Sequence, residues 1–376
     1  MQERLAFLVD YQRGRYSVTE LCQRYGISRK TGYKLLARFA TEGPSGLIDQ
    51  SRAPHSCPHR IAAAIAEQLC AARQQHPSWG AGKLLAYLTP RAPALAWPAP
   101  STAHDLLVRA GLVAPRRRRR PRVPRPPGLG PRATTAPNEC WTADFKGQFR
   151  TRDGHWCYPL TLADRHTRYL LTCRGLPSTH GPAVRAQFER AFRTYGLPDV
   201  IHTDNGAPFA STGLHGLSRL SVWWLRLGIQ PQRSRPGRPQ DNGAHERMHK
   251  TLKAEAIRPP RATPRAQQQA FDGFRRDYNE VRPHAGLAGQ TPGSQYRASP
   301  RPYPRVLPPL DYPGHYQVRT IAAGGTFRFQ GQQRFLSESL AHQYVGLDEI
   351  ADGIWAIYFT TVRVATLDER ECRLEG

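Results

Sequence analysis

Acidic residues are scarce in this chain. There are 29 Asp+Glu against 54 Lys+Arg, a formal net charge of +25 and a pI of about 10.5. A surplus of that size repels itself unless it meets a polyanion, so nucleic acid is the first partner to consider. Long apolar runs are absent too. None approaches the roughly 18 residues of a membrane span, and the basic residues do not share one amphipathic helix. An anionic membrane is therefore a weak rival, and no membrane contact is expected. Cysteine is sparse, odd in number at 7, and forms no C-x-x-C pair. That argues against a disulfide framework or a zinc site and suits a reducing compartment. The first residues, MQERLAFLVD, carry charge early and lack a signal-peptide core. The expectation is a cytoplasmic protein of two to four domains.

Residues 1–50 read as a helix-turn-helix domain. Leu5, Leu8 and Val9 give the first helix a stripe, and Ser17 with Glu20 spells a capping box opening the second. Leu21, Cys22 and Tyr25 would face inward. Gly26 allows the tight turn, and Ser28 caps a third helix burying Leu36 and Phe39. That helix offers Arg29, Lys30, Tyr33 and Lys34 in its first turns, where a recognition helix meets the major groove. The bland alternative is a three-helix bundle with a solvated basic face. Residues 59–113 form a second helical unit: a helix over about 60–75, the Trp79-Gly80-Ala81-Gly82 turn, and a last helix capped by Ser101 with Leu106, Leu107 and Leu112 as core. It reads as a second DNA-binding unit or a structural spacer. Residues 114–137 are an Arg/Pro-rich linker that cannot bury a core. Its run of Arg116, Arg117, Arg118, Arg119 and Arg120 suits phosphate tracking.

The pattern changes at Cys140. CWTADFKGQF reads as a strand with Asp144 inside it. HWCYPLTLADRHTRYLLTCRG gives two more strands, joined by a turn at Asp164. Gly181–Tyr195 is an amphipathic helix with Val184, Phe188, Ala191 and Phe192 on one face. A strand ending at Asp204, a helix over about 216–227, a strand at 229–234 and helices at 242–257 and 264–281 follow. Three strands, then helix–strand–helix–strand–helix, predict an α/β fold: a mixed sheet with helices on its faces over 138–300. Residues 310–376, with TFRFQGQQRFL, IWAIYF and VRVATLD, predict a small β-barrel, a possible further DNA contact.

Asp144 and Asp204 stand at strand positions among apolar neighbours. An unpaired buried carboxylate is costly, and a pairing arginine is the usual answer. If two such strands are neighbours in one sheet, their acids converge, and like charges cannot both ionise cheaply without a cation. A divalent metal removes that cost. The helix in GRPQDNGAHERMHKTLKAEA supplies a third acid. Asn242 can cap it, and Ala244, Met248, Leu252 and Ala256 make its buried stripe. Glu246, His249, Lys250 and Lys253 fall on another face. They read either as a surface Glu–Lys pair or as a metal ligand flanked by DNA-binding His249, Lys250 and Lys253.

The motifs WTADF, LADRHTRYLL, HTDNGAPF, SRPGRPQDNGAHERMHKTLKAE and YNEVRPHAGLAGQTP, in that order through 138–297, resemble the catalytic core of bacterial insertion-sequence transposases. These belong to the DDE, retroviral-integrase superfamily. The resemblance implies an RNase H-like core behind the helix-turn-helix units. It implies Asp144, Asp204 and Glu246 as the acidic, metal-binding catalytic triad, and Lys250 and Lys253 as holding the DNA end. The spacing departs from the family's: 41 residues lie between Asp204 and Glu246, whereas 36 lie between Asp204 and Asp241, nearer the usual count. Glu246 holds the motif's acid position and Asp241 its loop position, and the longer 211–228 segment can absorb the difference. Asp164, a rival to Asp144, reads better as a turn residue.

The function so implied is a transposase. It would bind double-stranded DNA at an element's ends, cut it with two Mg²⁺ ions (Mn²⁺ as substitute) and join it to target DNA as a homo-oligomer. The rival classes are a non-catalytic DNA-binding regulator and an RNase H-like nuclease without strand transfer.

Overall fold

The computed structural model describes residues 2–49, 61–114, 134–211, 216–235, 242–370 and 373–375. The Arg116–Arg120 run and Asp241 lie outside the described residues. The chain divides into two compact units, Met1–Ala62 and Ala63–Gly376.

The first unit holds helices α1 (Gln2–Gln12), α2 (Val18–Arg24) and α3 (Arg29–Glu42), closed by a 3-10 turn over Gly43–Leu47. The Ser17–Glu20 capping box forms at the start of α2, and the Ser28 hydroxyl accepts the Thr31 N–H at the start of α3. Gly26 takes φ +63° between them, a backbone that favours glycine. The stripe on α1 differs from expectation. Leu5 and Val9 are 47% and 40% exposed, while Phe7 and Leu8 are buried. Only that edge of α1 reaches the small core, where Phe7 meets Tyr25 edge-on at 5.6 Å and packs among Leu21, Cys22, Leu35 and Leu47. On α3, Leu35 takes the core position, with Leu36 and Phe39 half-buried against it.

The second unit opens with α4 (Ala63–Gln75), α5 (Ala81–Leu88) and α6 (Pro100–Arg109). They close around Trp79, Leu69, Leu84 and Leu107. Pro100 occupies the first turn of α6, so Ala99 takes the cap position expected of Ser101, as suits proline's fixed φ and missing N–H.

The central sheet is built from β1 (Cys140–Phe145), β2 (Phe149–Arg150), β3 (Trp156–Asp164), β4 (Leu170–Leu176), β5 (Val200–Thr203) and β6 (Gln230–Arg233). β3 pairs antiparallel with β1, β2 and β4, whereas β1–β5 and β5–β6 are parallel. Side chains alternate across the sheet. Trp141, Ala143, Leu160 and Leu162 face α7 (Gly181–Tyr195) and α8 (Arg219–Arg226) and pack with Val184, Phe188, Phe192 and Trp224. The opposite face meets α9 (Gly243–Leu252) and α10 (Pro264–Arg276), where Cys157, Leu170 and Cys173 pack with Met248, Leu252 and Phe271. Both helices run on into π-helical turns, Lys253–Ile257 and Asp277–Val281. The short α11 (Pro292–Gln295) follows.

The last module is all β: β7 (Gln317–Thr320), β8 (Thr326–Phe329), β9 (Gln332–Phe335), β10 (Tyr344–Ala351), β11 (Ile354–Phe359), β12 (Val362–Asp368) and β13 (Arg373–Glu375). Five strands form an antiparallel sheet in the order β13-β12-β11-β10-β7, and β8–β9 is the expected hairpin. Their core, with Ile321, Phe327, Val345 and Ile357, also takes in Val222 and Leu225 from α8. Among the described residues no helix is long and apolar enough to cross a membrane.

Candidate active site

The parallel pairing of β1 and β5 sets the site's first two residues. Its last aligned pair is Ala143 with Thr203, so Asp144 and Asp204 come one step later on adjacent strands. The carboxyl ends of parallel strands are where open α/β sheets present ligand-binding groups. Asp204 is exposed just past the strand, where its Oδ1 accepts the Gly206 N–H at 3.2 Å. Asn205 ties the turn to β6's continuation through a 3.0 Å bond to the Ser234 carbonyl.

Asp144 is half-buried on the sheet face covered by α9. Burial foremost, then the Asp204 carboxylate and more weakly that of Glu246, push its carboxyl up to about 7, against the Phe145 N–H and the Lys146 charge. The three acids thus share one electrostatic neighbourhood. A set of carboxylate oxygens whose mutual repulsion raises one member's proton affinity is chemistry that a hard divalent cation relieves. The residues present therefore fit such an ion.

Helix α9 carries Glu246 in its first turn. Glu246, Lys250 and Lys253 are exposed together. His249, expected with them, is 4% exposed instead. It turns toward the sheet, its Nε2 2.7 Å from the Thr161 hydroxyl and its Nδ1 3.5 Å from Asp144 Oδ2. It is thus set apart from the exposed Lys250 and Lys253 with which it was grouped. The reason is helical phase. His245 and His249, four residues apart, lie on the same side as Met248 and Leu252, all of them buried. His245 Nε2 is also 2.7 Å from Thr161, and its Nδ1 is 2.8 Å from Thr142. Burial drives both imidazoles down, His245 to about 3 and His249 to about 2, so both are neutral rings. Two further details differ from expectation: Asn242 holds the cap position without a side-chain cap bond, and Ala244 is exposed rather than part of the buried stripe.

Lys146, His245, Thr142 and Thr161 were not among the residues singled out from the sequence. The i,i+4 histidines and the threonines alternating with apolar residues on β1 and β3 were the available signal. Asp164, expected in the turn, is instead the last residue of β3, paired with Trp141, and the turn begins at Arg165. Asp164 is buried there and accepts N–H bonds from Asn138 and Thr167, both at 2.7 Å. In the first unit, Arg29, Lys30, Tyr33 and Lys34 are all exposed on the opening turns of α3.

Residues 134–239 and 227–292 match the Integrase core domain family. Residues 3–55 match a Helix-turn-helix domain, and 31–107 a Homeodomain-like domain. An uncharacterized 31.7 kDa protein of insertion element IS407 from Burkholderia multivorans is 29% identical over 167 residues, 44% of this chain and 57% of that protein. An uncharacterized 39.2 kDa protein of insertion element IS476 from Xanthomonas euvesicatoria is 26% identical over 242 residues, 63% of this chain and 66% of that protein. The chain thus spans somewhat under two thirds of these relatives' lengths. Among solved structures, the simian T-cell lymphotropic virus intasome chain is 16% identical and covers 79% of this chain, with a TM-score of 0.39.

Proposed function

We propose that this chain, a member of the integrase-core family, is the transposase of an insertion element: it binds the element's ends, cuts them and joins them to target DNA. One observation carries the reading. Asp144, Asp204 and Glu246 come from two adjacent parallel strands and the helix across them, and the latter two act together on the first. We assign these three as the catalytic triad and as ligands for two Mg²⁺ ions, with Mn²⁺ as substitute. Bound there, the ions would supply Lewis acidity to the attacking and leaving oxygens of a phosphodiester.

The chain's own groups do the rest. The ends of β1 and β5 carry two of the carboxylates, and α9 brings the third. Lys250 and Lys253, exposed beside Glu246, bind the phosphates of the DNA end. Water attacks the phosphodiester at the element's terminus and releases a 3′-hydroxyl. That hydroxyl attacks a target phosphodiester in line and displaces a 3′-oxygen, with no covalent protein–DNA intermediate. Arg29, Lys30, Tyr33 and Lys34 on α3 read the terminal sequence. The Arg116–Arg120 run tracks phosphates. Joining two ends to one target calls for a homo-oligomer on double-stranded DNA.

The test is incubation of the purified protein with a labelled element-end duplex, a target plasmid and Mg²⁺. Nicking at the end followed by a joined product is expected. Binding without cleavage would make the protein a regulator, and cleavage without joining a nuclease.

A further inference from the structure

We infer that His249 is a positioning residue for Asp144, donating its Nδ1–H to the carboxylate through a hydrogen-bond chain that begins at Thr142. The inference rests on the reading of Asp144 as a metal ligand and adds the group that aims it.

Donor counting fixes the direction of the chain. Four contacts run in series: Thr142 hydroxyl to His245 Nδ1 at 2.8 Å, His245 Nε2 to the Thr161 hydroxyl at 2.7 Å, the Thr161 hydroxyl to His249 Nε2 at 2.7 Å, and His249 Nδ1 to Asp144 Oδ2 at 3.5 Å. Each neutral imidazole has one proton, and each hydroxyl has one. If Asp144 is ionised, as a metal ligand must be, His249 can face it only with Nδ1–H. Its Nε2 must then accept from Thr161. Thr161, its single proton spent, accepts from His245 Nε2–H, and His245 Nδ1 accepts from Thr142. One arrangement satisfies all four contacts, with the Thr142 proton going to His245 Nδ1 at 2.8 Å in preference to the Ala163 carbonyl at 3.2 Å. The opposite one, with Thr161 donating to the Asp144 carbonyl at 3.0 Å, leaves a bare His249 lone pair against the carboxylate.

Asp144, His245 and His249 each present one ligand atom within 4.8 Å of one another, which also invites a nitrogen-rich metal site. The chain argues against it. Three of the four ring nitrogens are held by threonines, and only His249 Nδ1 is left to face Asp144. A lone ring N–H beside a carboxylate is the partner that orients a ligand rather than a cage. Its effect falls on the Asp144 side-chain torsion, which is broad and two-fold when unrestrained. At 3.5 Å the contact is long for an N–H···O bond, and closing it takes a shift of about half an ångström.

The experiment is Mn²⁺ binding to the full-length protein, followed by the loss of free-ion EPR signal, alongside thermal melting. An asparagine amide reaches the Nδ1 position and a glutamine amide the Nε2 position. His249→Gln is expected to weaken Mn²⁺ binding about tenfold, and His249→Asn to recover most of that loss. Thr161→Val keeps the shape, removes the donor to His249, and is expected to weaken binding several-fold. The inference is overturned if His249→Gln or Thr161→Val binds Mn²⁺ like the wild type, or if His249→Asn is as weak as His249→Gln. Asp144→Asn in the same titration separates the two levels: if it leaves Mn²⁺ affinity unchanged, the carboxylate reading fails irrespective of His249.

Discussion

The guanidinium of Arg282 lies against the indole of Trp79, 5.4 Å from the ring centroid. The same side chain, buried, holds the Glu255 carboxylate at 2.5 Å and leans on Asp277 at 3.7 Å. Ser78 donates to Glu255 Oε1, an oxygen that Arg282 also bonds, and Val281 packs into the cluster around Trp79. The connection between α4 and α5, through Ser78 and Trp79, therefore meets the two π-helical turns that follow α9 and α10.

Removing that cation should be costly, because a half-buried carboxylate pair would lose its partner. Arg282→Met is expected to destabilise the second unit by about 3 kcal/mol. The midpoint of urea unfolding measures it. A variant as stable as the wild type would mean that Glu255 and Asp277 are well enough solvated without Arg282.

The assigned triad predicts a clean separation of chemistry from binding. Asp144→Asn, Asp204→Asn and Glu246→Gln should each lose cleavage and joining by about a thousandfold or more, and gel-shift affinity for an end duplex should stay within about threefold. Strand-transfer assays in Mg²⁺ provide the measurement. Substantial joining by any one of the three would remove it from the triad.

Asp144 also makes a stability prediction for the metal-free protein. Its folded carboxyl titrates at about 7, above the usual unfolded value of about 3.9. Between those values the folded state keeps a proton that the unfolded state has released. Stability from this group is thus complete below the unfolded value, falls as pH rises through the window, and stays low above about 7. Melting curves in EDTA should show that fall, Asp144→Asn should flatten it, and added Mg²⁺ should restore the melting temperature at pH 7.5. Equal pH dependence in wild type and Asp144→Asn would contradict the shift.

The basic residues should divide by role. Lys30→Gln with Lys34→Gln on α3 should erode the preference for end sequence over random duplex. Lys250→Gln with Lys253→Gln should weaken all duplexes alike and flatten the salt dependence by about 0.9 log unit for each phosphate no longer neutralised. Competition binding at several salt concentrations reads both. An equal fall in selectivity from either pair would erase the distinction.

Where burial is one-sided and local, the sequence was a good guide. The α7 face of Val184, Phe188, Ala191 and Phe192 is buried as its spacing predicts, and the Ser17–Glu20 box needs nothing beyond its own turn. The misreadings share a cause. Leu5 and Val9 are apolar, but among the described residues no element covers them. His249 is polar, yet α9 lies on a sheet face whose own residues, Thr142 and Thr161, are polar and can satisfy it. Helical phase shows which residues share a face but not the character of the facing surface. The strands β7 and β10 went unread because Gln, Arg, Asp and Glu break their apolar alternation and only sheet pairing reveals them.

The place of Glu246 is set by α9's seat on the sheet, through Met248, Leu252 and the two histidines, and not by the chain that leads there from Asp204. The interval between them holds α8, packed into the core, and β6, paired with β5. A change of length that falls outside those two elements alters the count between the acids and leaves the seats of both elements in place. The number of residues from Asp204 to Glu246 is therefore a weaker mark of the third acid than the buried face of α9 that carries it.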